Sequence, residues 1–565
     1  MSDCAPGIAS ADARAVDAAA NAAFARGDYA LAEAHIRDAI GRFGARPGRM
    51  AMLGWSLIRL GRAQDAVSAL QPFAASIAGT PLLAPLGIGL LLSGDAAAAC
   101  AVLGDATAQF PLEPEAWNAL GLAHVALAHP AEAENALRRA LAVSPRFVPA
   151  LANLCDLLVQ ESRSVEAIEI AAQATREHPQ HAAAWFKLGQ LQMLALDTAA
   201  ARAALLRCRE LEPRHAPTHR NLALVDEWSG DLDAAQTGFR TALALAGDDA
   251  DARFGLATVL LKQRQGDEAW PLYAQGAAGV EDPSQRIGVP AWDGGTLGHG
   301  ALLVDPDQGL GDVLQFARFL PLARARVPRL LLFCDGYFAS LKSLLASLPG
   351  IEVVDRDAGA HAVAATCRIS ELPNLLGLGN SAFAPLDAYL APPADAMRHW
   401  AARVAPLRGL KVGICWSGNA RRADSDARRV DARRSLTAAR FVALLDVPSV
   451  TFVALQKDMA AEDAAALGGT VVDWTHDLTD YAQTAALIAH LDLVICVDTS
   501  IVHCAGAIGT PVWMLDRFEN CWRWGSDPAQ PGWYRNLRVF RQPSFGDWDG
   551  ALRALRMALV ERAAR

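Results

Sequence analysis

Small and apolar residues return along the first half of the chain with a period of 34. Trp117, Gly121, Ala133, Ala140 and Pro145 map one period on to Leu151, Cys155, Ala167, Ala174 and Pro179, and a further period gives Trp185, Gly189, Ala201, Cys208 and Pro213. Ala235, Phe239 and Ala242 continue the series, Ala269 and Tyr273 close it, and Ala99, Ala66 and Ala32 extend it backwards. Alanines seven apart share one helical face and let two helices approach closely, with a bulky Leu137 or Phe239 filling the groove above. The prolines stop each second helix, because proline removes a donor from a helix interior. The pattern predicts seven or eight antiparallel helix pairs over 15–275. None can bury its apolar face alone, so neighbours must stack. On this reading Trp117 and Trp185 are core residues.

The period stops at Gly276, and Asp282-Pro283, Pro290, Gly294, Gly295, Gly298 and Gly300 mark a linker over 276–297. Short apolar runs follow at 301–304, 330–333, 351–354, 361–364, 411–416, 450–455, 470–472, 491–497 and 511–515. Helical stretches such as 312–325 and 480–490 lie between them. Alternation of this kind predicts parallel sheets with ligand sites at the C-terminal ends of the strands. An interruption near Pro392-Pro393 divides it into two Rossmann-like halves, 298–400 and 401–545, followed by a C-terminal helix over 546–565.

Composition narrows the class. The 565 residues are 52% hydrophobic and 20% charged, which excludes a disordered chain. With 52 basic and 61 acidic residues the net charge is −9, which argues against non-specific nucleic-acid binding. The ten cysteines form no C-x-x-C pair and no histidine cluster has zinc spacing, so no metal site is expected and the thiols read as reduced. No secretory signal is visible, and the most apolar stretch, 81–92, is too short to span a bilayer. A soluble, cytoplasmic protein is expected.

Four strand ends carry candidate chemistry. After the first run, Gly309 and Gly311 allow close backbone approach and Asp312 stands at a helix entrance, either as a plain cap or as a general base aimed into a cleft. The second turn, Trp416-Ser417-Gly418-Asn419, is followed by six arginines, 421, 422, 428, 429, 433 and 434, with Asp424, Asp426 and Asp431 interspersed. These form a solvated loop or supply a guanidinium that clamps a pyrophosphate. Lys457 ends the third run as a phosphate contact or an ordinary surface lysine. The fourth turn, Asp498-Thr499-Ser500, precedes a helix containing His503. It is an anion site at a helix N-terminus or ordinary capping.

Two resemblances bring these readings together. The 34-residue period resembles the tetratricopeptide repeat, with its Trp-x-x-Leu-Gly, Ala and Pro positions. Residues 292–548 resemble bacterial glycosyltransferases attached to such repeats, related to the heptosyltransferase group and more distantly to O-linked GlcNAc transferases. The shared words are Trp292-Asp-Gly, Gln308-Gly-Leu-Gly-Asp-Val-Leu-Gln-Phe-Ala-Arg, Gly413-Ile-Cys-Trp-Ser-Gly-Asn, Arg434-Ser-Leu, Leu455-Gln-Lys and Asp498-Thr-Ser-Ile-Val-His-Cys-Ala-Gly, with the tail words Trp522-Arg-Trp, Trp533-Tyr and Phe540-Arg-Gln.

The resemblance implies a tetratricopeptide-repeat superhelix followed by a metal-independent GT-B region, with a nucleotide-sugar donor as co-substrate and no other cofactor. It implies Asp312 as catalytic base. The implied donor site comprises Gly309, Gly311, Trp416, Gly418, Arg434 (or Arg433), Lys457, Asp498, Thr499, Ser500 and His503, with Asp480 at the ribose. Arg434-Ser435-Leu436-Thr437 departs from the relatives' usual Arg-Ser-Ile-Pro. The expected partner is a protein acceptor in the repeat groove, flagellin first, glycosylated on Ser or Thr with a nonulosonic acid such as pseudaminic acid. Alternatives are a lipopolysaccharide or surface-glycan transferase, or an inactive repeat scaffold; the intact turns at 309–312, 416–419 and 498–500 argue against the last.

Overall fold

The computed structural model describes residues 6–74, 81–276, 283–355, 363–418 and 431–565. The chain divides into two compact units, Met1–Thr218 and His219–Arg565.

The first unit is a tetratricopeptide superhelix, built of twelve helices from Pro6–Ala25 to Thr198–Leu211. The periodic alanines 99, 133, 167 and 201 are fully buried. The glycines of the pattern seat the bulky residue of the paired helix: a Cβ on Gly121 would lie 2.7 Å from Leu137 Cγ, and one on Gly189 2.7 Å from Leu205 Cγ. Between helices, Gly27 and Gly94 take the left-handed backbone that the turn requires. Asp28 and Asp95 then cap the next helix by accepting from the backbone N–H three residues on. Helices end at Val143, Glu177 and Leu211, two residues before Pro145, Pro179 and Pro213. Trp117 and Trp185 differ from expectation. Each is half-buried, packing against the repeat core at its edge, and its indole N–H donates to the carbonyl of Pro111 or Pro179 at 3.0 Å, so both also tie the inter-repeat turn.

The period runs on through Leu232–Leu245, Ala250–Lys262 and Gly266–Ala274, but these helices pack with the sheets. Trp270 is 2% exposed. It donates to the Gly379 carbonyl at 3.0 Å and stacks on Phe383 at 5.5 Å. In the stretch read as linker, Pro283–Ile287 is a short helix and Trp292 is buried, its amide donating to Thr366 O at 2.8 Å. Residues 277–282 lie outside the described residues.

Two parallel sheets follow. The first comprises β1 (Ala301–Asp305), β2 (Arg329–Phe333), β3 (Ile351–Val354) and β4 (Val363–Arg368), in the order β3-β2-β1-β4. The second comprises β5 (Leu410–Cys415), β6 (Val450–Ala454), β7 (Val471–Val472), β8 (Leu493–Val497), β9 (Val512–Asp516) and β10 (Leu537–Arg541), in the order β10-β9-β8-β5-β6-β7. The run expected at 361–364 falls partly outside the described residues, and the strand there is β4. The expected helix 312–325 is broken into Leu310–Phe316, a tight turn Ala317–Phe319 and Leu320–Arg324, because Pro321 cannot donate within a helix. The C-terminal helix is Trp548–Ala563.

The chain leaves β1 towards β2 on one side and β4 lies on the other, and β5 is flanked in the same way by β6 and β8. Such switch points open crevices at the carboxyl ends of the strands. Three of the four candidate turns stand at these positions.

Candidate active site

The helices Leu310–Phe316 and Ser500–Ile508 bring the two halves into contact. A Cβ on Gly311 would lie 2.8 Å from His503 Cδ2 and 3.2 Å from Ser500 Cα, so only glycine lets them pass this closely. Gly309 has ordinary extended backbone; the left-handed residue of this turn is Gln308, with φ 66°. Asp312 is therefore set beside the 498–503 turn.

Both carboxylate oxygens of Asp312 are engaged. Oδ2 accepts from the Gly309 amide at 2.8 Å, which caps the helix, and Oδ1 accepts from Arg523 Nη2. A carboxylate has about four lone-pair positions, so roughly two remain for an incoming hydroxyl. Arg523 also donates from Nε to Gln315 Oε1 at 2.8 Å, from Nη2 to Gln308 Oε1 at 3.3 Å and from Nη1 to Cys521 Sγ at 3.1 Å. Its guanidinium lies 4.4 Å from the Trp522 ring centroid. Burial works against its charge, but Asp312, with Cys521 and Tyr273 beside it, holds Arg523 well above the usual arginine range. The Tyr273 hydroxyl, from the last repeat helix, donates to Gln308 Oε1 at 3.0 Å and accepts from Gln308 Nε2 at 2.9 Å. Arg523, Gln308, Gln315 and Tyr273 escaped the sequence reading; an arginine between two tryptophans at 522–524 was the available signal.

His503 is 4% exposed, shares a 2.9 Å hydrogen bond between Nδ1 and Tyr534 Oη, and stacks on Trp524 at 5.2 Å. Burial, with Arg523 and Arg434 nearby, pushes its pKa well below the usual histidine value. It is neutral at pH 7 and offers a hydrogen bond, not a charge.

On the donor side, Thr499 caps the nine-residue helix Ser500–Ile508 and Ser500 accepts from the Tyr481 hydroxyl. Asp498 is 8% exposed at the end of β8. Gly418 passes so close to Arg434 that a Cβ would stand 2.8 Å from its Nη2, while its amide donates to Ser435 Oγ at 3.0 Å. Arg434 Nε is held by Asp431 Oδ1 at 3.0 Å. Gly311, Asp312, Gly418, Arg434, Thr499, Ser500 and His503 thus gather around the two switch points.

Three expected donor contacts stand apart. Trp416 is fully buried and donates its indole N–H to Asp463 at 3.0 Å, so its side chain serves packing. Asp480 caps the helix Tyr481–Ile488 by accepting from Gln483 N at 2.9 Å. Lys457 is exposed beyond β6, with no ion pair among the described residues. Asn419, the arginines at 421, 422, 428 and 429, and Asp424 and Asp426 lie outside the described residues. No helix among the described residues is long and apolar enough to cross a membrane.

Both parts of the chain are similar to known proteins. Residues 476–517, which span β8, the Ser500–Ile508 helix and β9, match glycosyltransferase family 9 (heptosyltransferase). Residues 114–147, 153–214 and 222–285 match the tetratricopeptide repeat. Protein FlbA of Caulobacter vibrioides is 28% identical over 461 residues, covering 74% of each chain. Among solved structures, a tetratricopeptide repeat protein from Parabacteroides merdae aligns at 16% identity with a TM-score of 0.35, covering 44% of this chain and 98% of that one. A thermophilic TPR protein of Thermus thermophilus aligns at 24% identity with a TM-score of 0.27, over 32% and 97%. Together the repeat and family 9 matches support a tetratricopeptide-containing glycosyltransferase.

Proposed function

We propose that this protein transfers a sugar from a nucleotide-activated donor to a Ser or Thr hydroxyl of a protein recruited by the repeats. The supporting observation is the glycine-limited contact at Gly311, which sets a carboxylate of the first half against the helix N-terminus of the second. Asp312 accepts the proton of the acceptor hydroxyl as its oxygen bonds to the anomeric carbon. The bond from that carbon to the donor phosphate breaks, and its electrons leave with the nucleotide. Arg434 and the positive end of the Ser500–Ile508 helix dipole stabilise the departing charge. Those groups do so without a metal ion in a GT-B arrangement, and Asp498 lines the donor crevice. Flagellin is the first candidate acceptor and a nonulosonic acid such as pseudaminic acid the first candidate sugar, with the reaction in the cytoplasm.

Intact-mass analysis of proteins captured by the chain, with and without CMP- and UDP-activated sugars, tests the reading. A donor-dependent mass increase of one sugar residue on a captured protein is expected. Absence of any increase with a protein acceptor, alongside sugar transfer to a lipid or glycan, would refute the protein acceptor.

A further inference from the structure

Arg517 follows the last residue of β9, one strand beyond the 498–500 turn, and Arg433 approaches it from beside Arg434. The two side chains are 11% and 18% exposed and converge on one carboxylate oxygen, Glu519 Oε1, at 3.7 and 3.6 Å. Those distances give an ion pair but no hydrogen bond. Nε and Nη1 of both arginines are buried and have no hydrogen-bond acceptor among the described residues. Glu519 thus stands between two guanidinium groups, four of whose nitrogens have no hydrogen-bond acceptor among the described residues. Trp228 walls the cluster, its ring 5.5 Å from the Arg433 guanidinium carbon. Other buried arginines of this unit are better paired: Arg318 gives both Nη groups to the carbonyls of Trp533 and Ala384, Arg541 is paired with Asp516, and Arg264 leaves only Nη1 without an acceptor among the described residues. Buried polar groups without partners are rare and call for an explanation. Planar forks with free N–H edges match the two oxygens of a carboxylate or phosphoryl group.

We propose that Arg433 and Arg517 form a binding site for an oxyanion of the donor, a carboxylate or a phosphoryl group, with Trp228 as its aromatic wall. The assignment to the donor rests on the function proposed above. Glu519 is the group the ligand competes with, and this gives the proposal a signature of opposite signs. Arginine removal weakens binding, whereas neutralising Glu519 strengthens it.

The test is calorimetric titration of the full chain with CMP as phosphoryl probe and N-acetylneuraminate as carboxylate probe. Arg433→Gln and Arg517→Gln should each weaken one probe by about tenfold or more, and Glu519→Gln should tighten the same probe severalfold. An effect on CMP assigns the site to a phosphoryl group, and an effect on N-acetylneuraminate assigns it to a carboxylate. Arg517→Lys keeps the charge without the fork and guards against misfolding; it should also weaken binding. Unchanged affinity for both probes in these arginine variants, folded by circular dichroism, overturns the site. If Thr499→Ala weakens CMP while the arginine variants do not, the donor reading survives and this one fails. If the arginine variants weaken a probe that Thr499→Ala and Arg434→Ala leave unchanged, the oxyanion site stands without the donor turn.

Discussion

Two buried arginine clusters in the same half of the molecule are built to different degrees of completion. Arg523 has a partner on each of its nitrogens, among them Asp312, Gln308, Gln315 and Cys521. Among the described residues, Arg433 leaves two of its nitrogens without acceptors, and so does Arg517. Their electrostatics diverge accordingly. Asp312 holds Arg523 above the usual arginine range against the effect of burial. Burial and Arg517 push Arg433 below that range, and Glu519 offsets this only in part. A finished ion network fixes geometry, which suits a carboxylate that must meet its substrate in one orientation. An unfinished one keeps hydrogen-bonding capacity in reserve for something that arrives. The following changes break or sharpen that contrast.

The largest effect is expected at Asp312. Asp312→Asn removes the proton acceptor, and loss of a general base costs typically 10²–10⁴-fold. Asparagine can still accept from the Gly309 amide, but it leaves the Arg523 charge uncompensated. The variant should therefore also lose roughly 3 kcal/mol of stability. Pairing it with Arg523→Gln should restore much of that stability and none of the transfer, read by denaturant titration and mass analysis. Near-wild-type transfer by the single variant would reduce the finished network to a structural device.

Trp270→Ala comes next. Trp270 joins the last repeats to the Arg523 side of the cleft, with its ring 5.7 Å from that of Trp522. Truncating a buried tryptophan typically costs about 3–5 kcal/mol. Thermal unfolding should show the His219–Arg565 unit melting earlier while the Met1–Thr218 transition stays in place. A uniform shift of both would mean that the last repeats belong energetically with the others.

That boundary shows what the sequence could and could not convey. The 34-residue period is a local property of helix pairs, so the alanines, prolines and Gly121 and Gly189 were readable without any partner. The same period continues through Ala269 and Tyr273 without revealing that those helices pack on sheets, because a buried face looks the same whatever covers it. Strands fully buried on both faces, such as β8 and β9, read as continuous apolar runs. β10 was missed because Arg538 and Arg541 interrupt its run. Within the site, glycines and turn residues marked the switch points, whereas Arg523 meets Asp312 across more than two hundred residues. Trp416 was legible as a motif word, yet its burial was not.

A smaller effect is expected from pH at His503, which packs beside the finished network. In the folded chain its pKa lies well below the usual value, because of burial and then Arg523 and Arg434. In the unfolded chain it titrates near the ordinary value of about 6.5. Below that pH the unfolded state binds one more proton, so stability falls as pH falls, by at most about 1.4 kcal/mol per pH unit. Asp307 and Asp516, pushed up by burial to about 6, act in the opposite sense between about pH 4 and 6. The difference between wild type and His503→Gln isolates the histidine. It should flatten the acid limb from pH 6.5 to 5 in urea titrations, and identical slopes would place a proton on His503 in the folded state.

The smallest change touches the network at one remove. Tyr273 is buried, and its hydroxyl hydrogen-bonds Gln308, whose side-chain oxygen also accepts from Arg523. Tyr273→Phe keeps the ring against Trp522, 5.3 Å away, and removes the two neutral hydrogen bonds its hydroxyl makes to Gln308, each worth about 1 kcal/mol. If the network's completeness is what holds Asp312, loosening Gln308 should lower transfer a few-fold with donor affinity unchanged. The repeats would then contribute to positioning as well as to recruitment. Donor affinity is the control, because Arg433 and Arg517 are not hydrogen-bonded to this network. A loss of stability without any loss of transfer would show that Arg523 alone suffices to orient the carboxylate, and that the last repeats support the cleft only as packing.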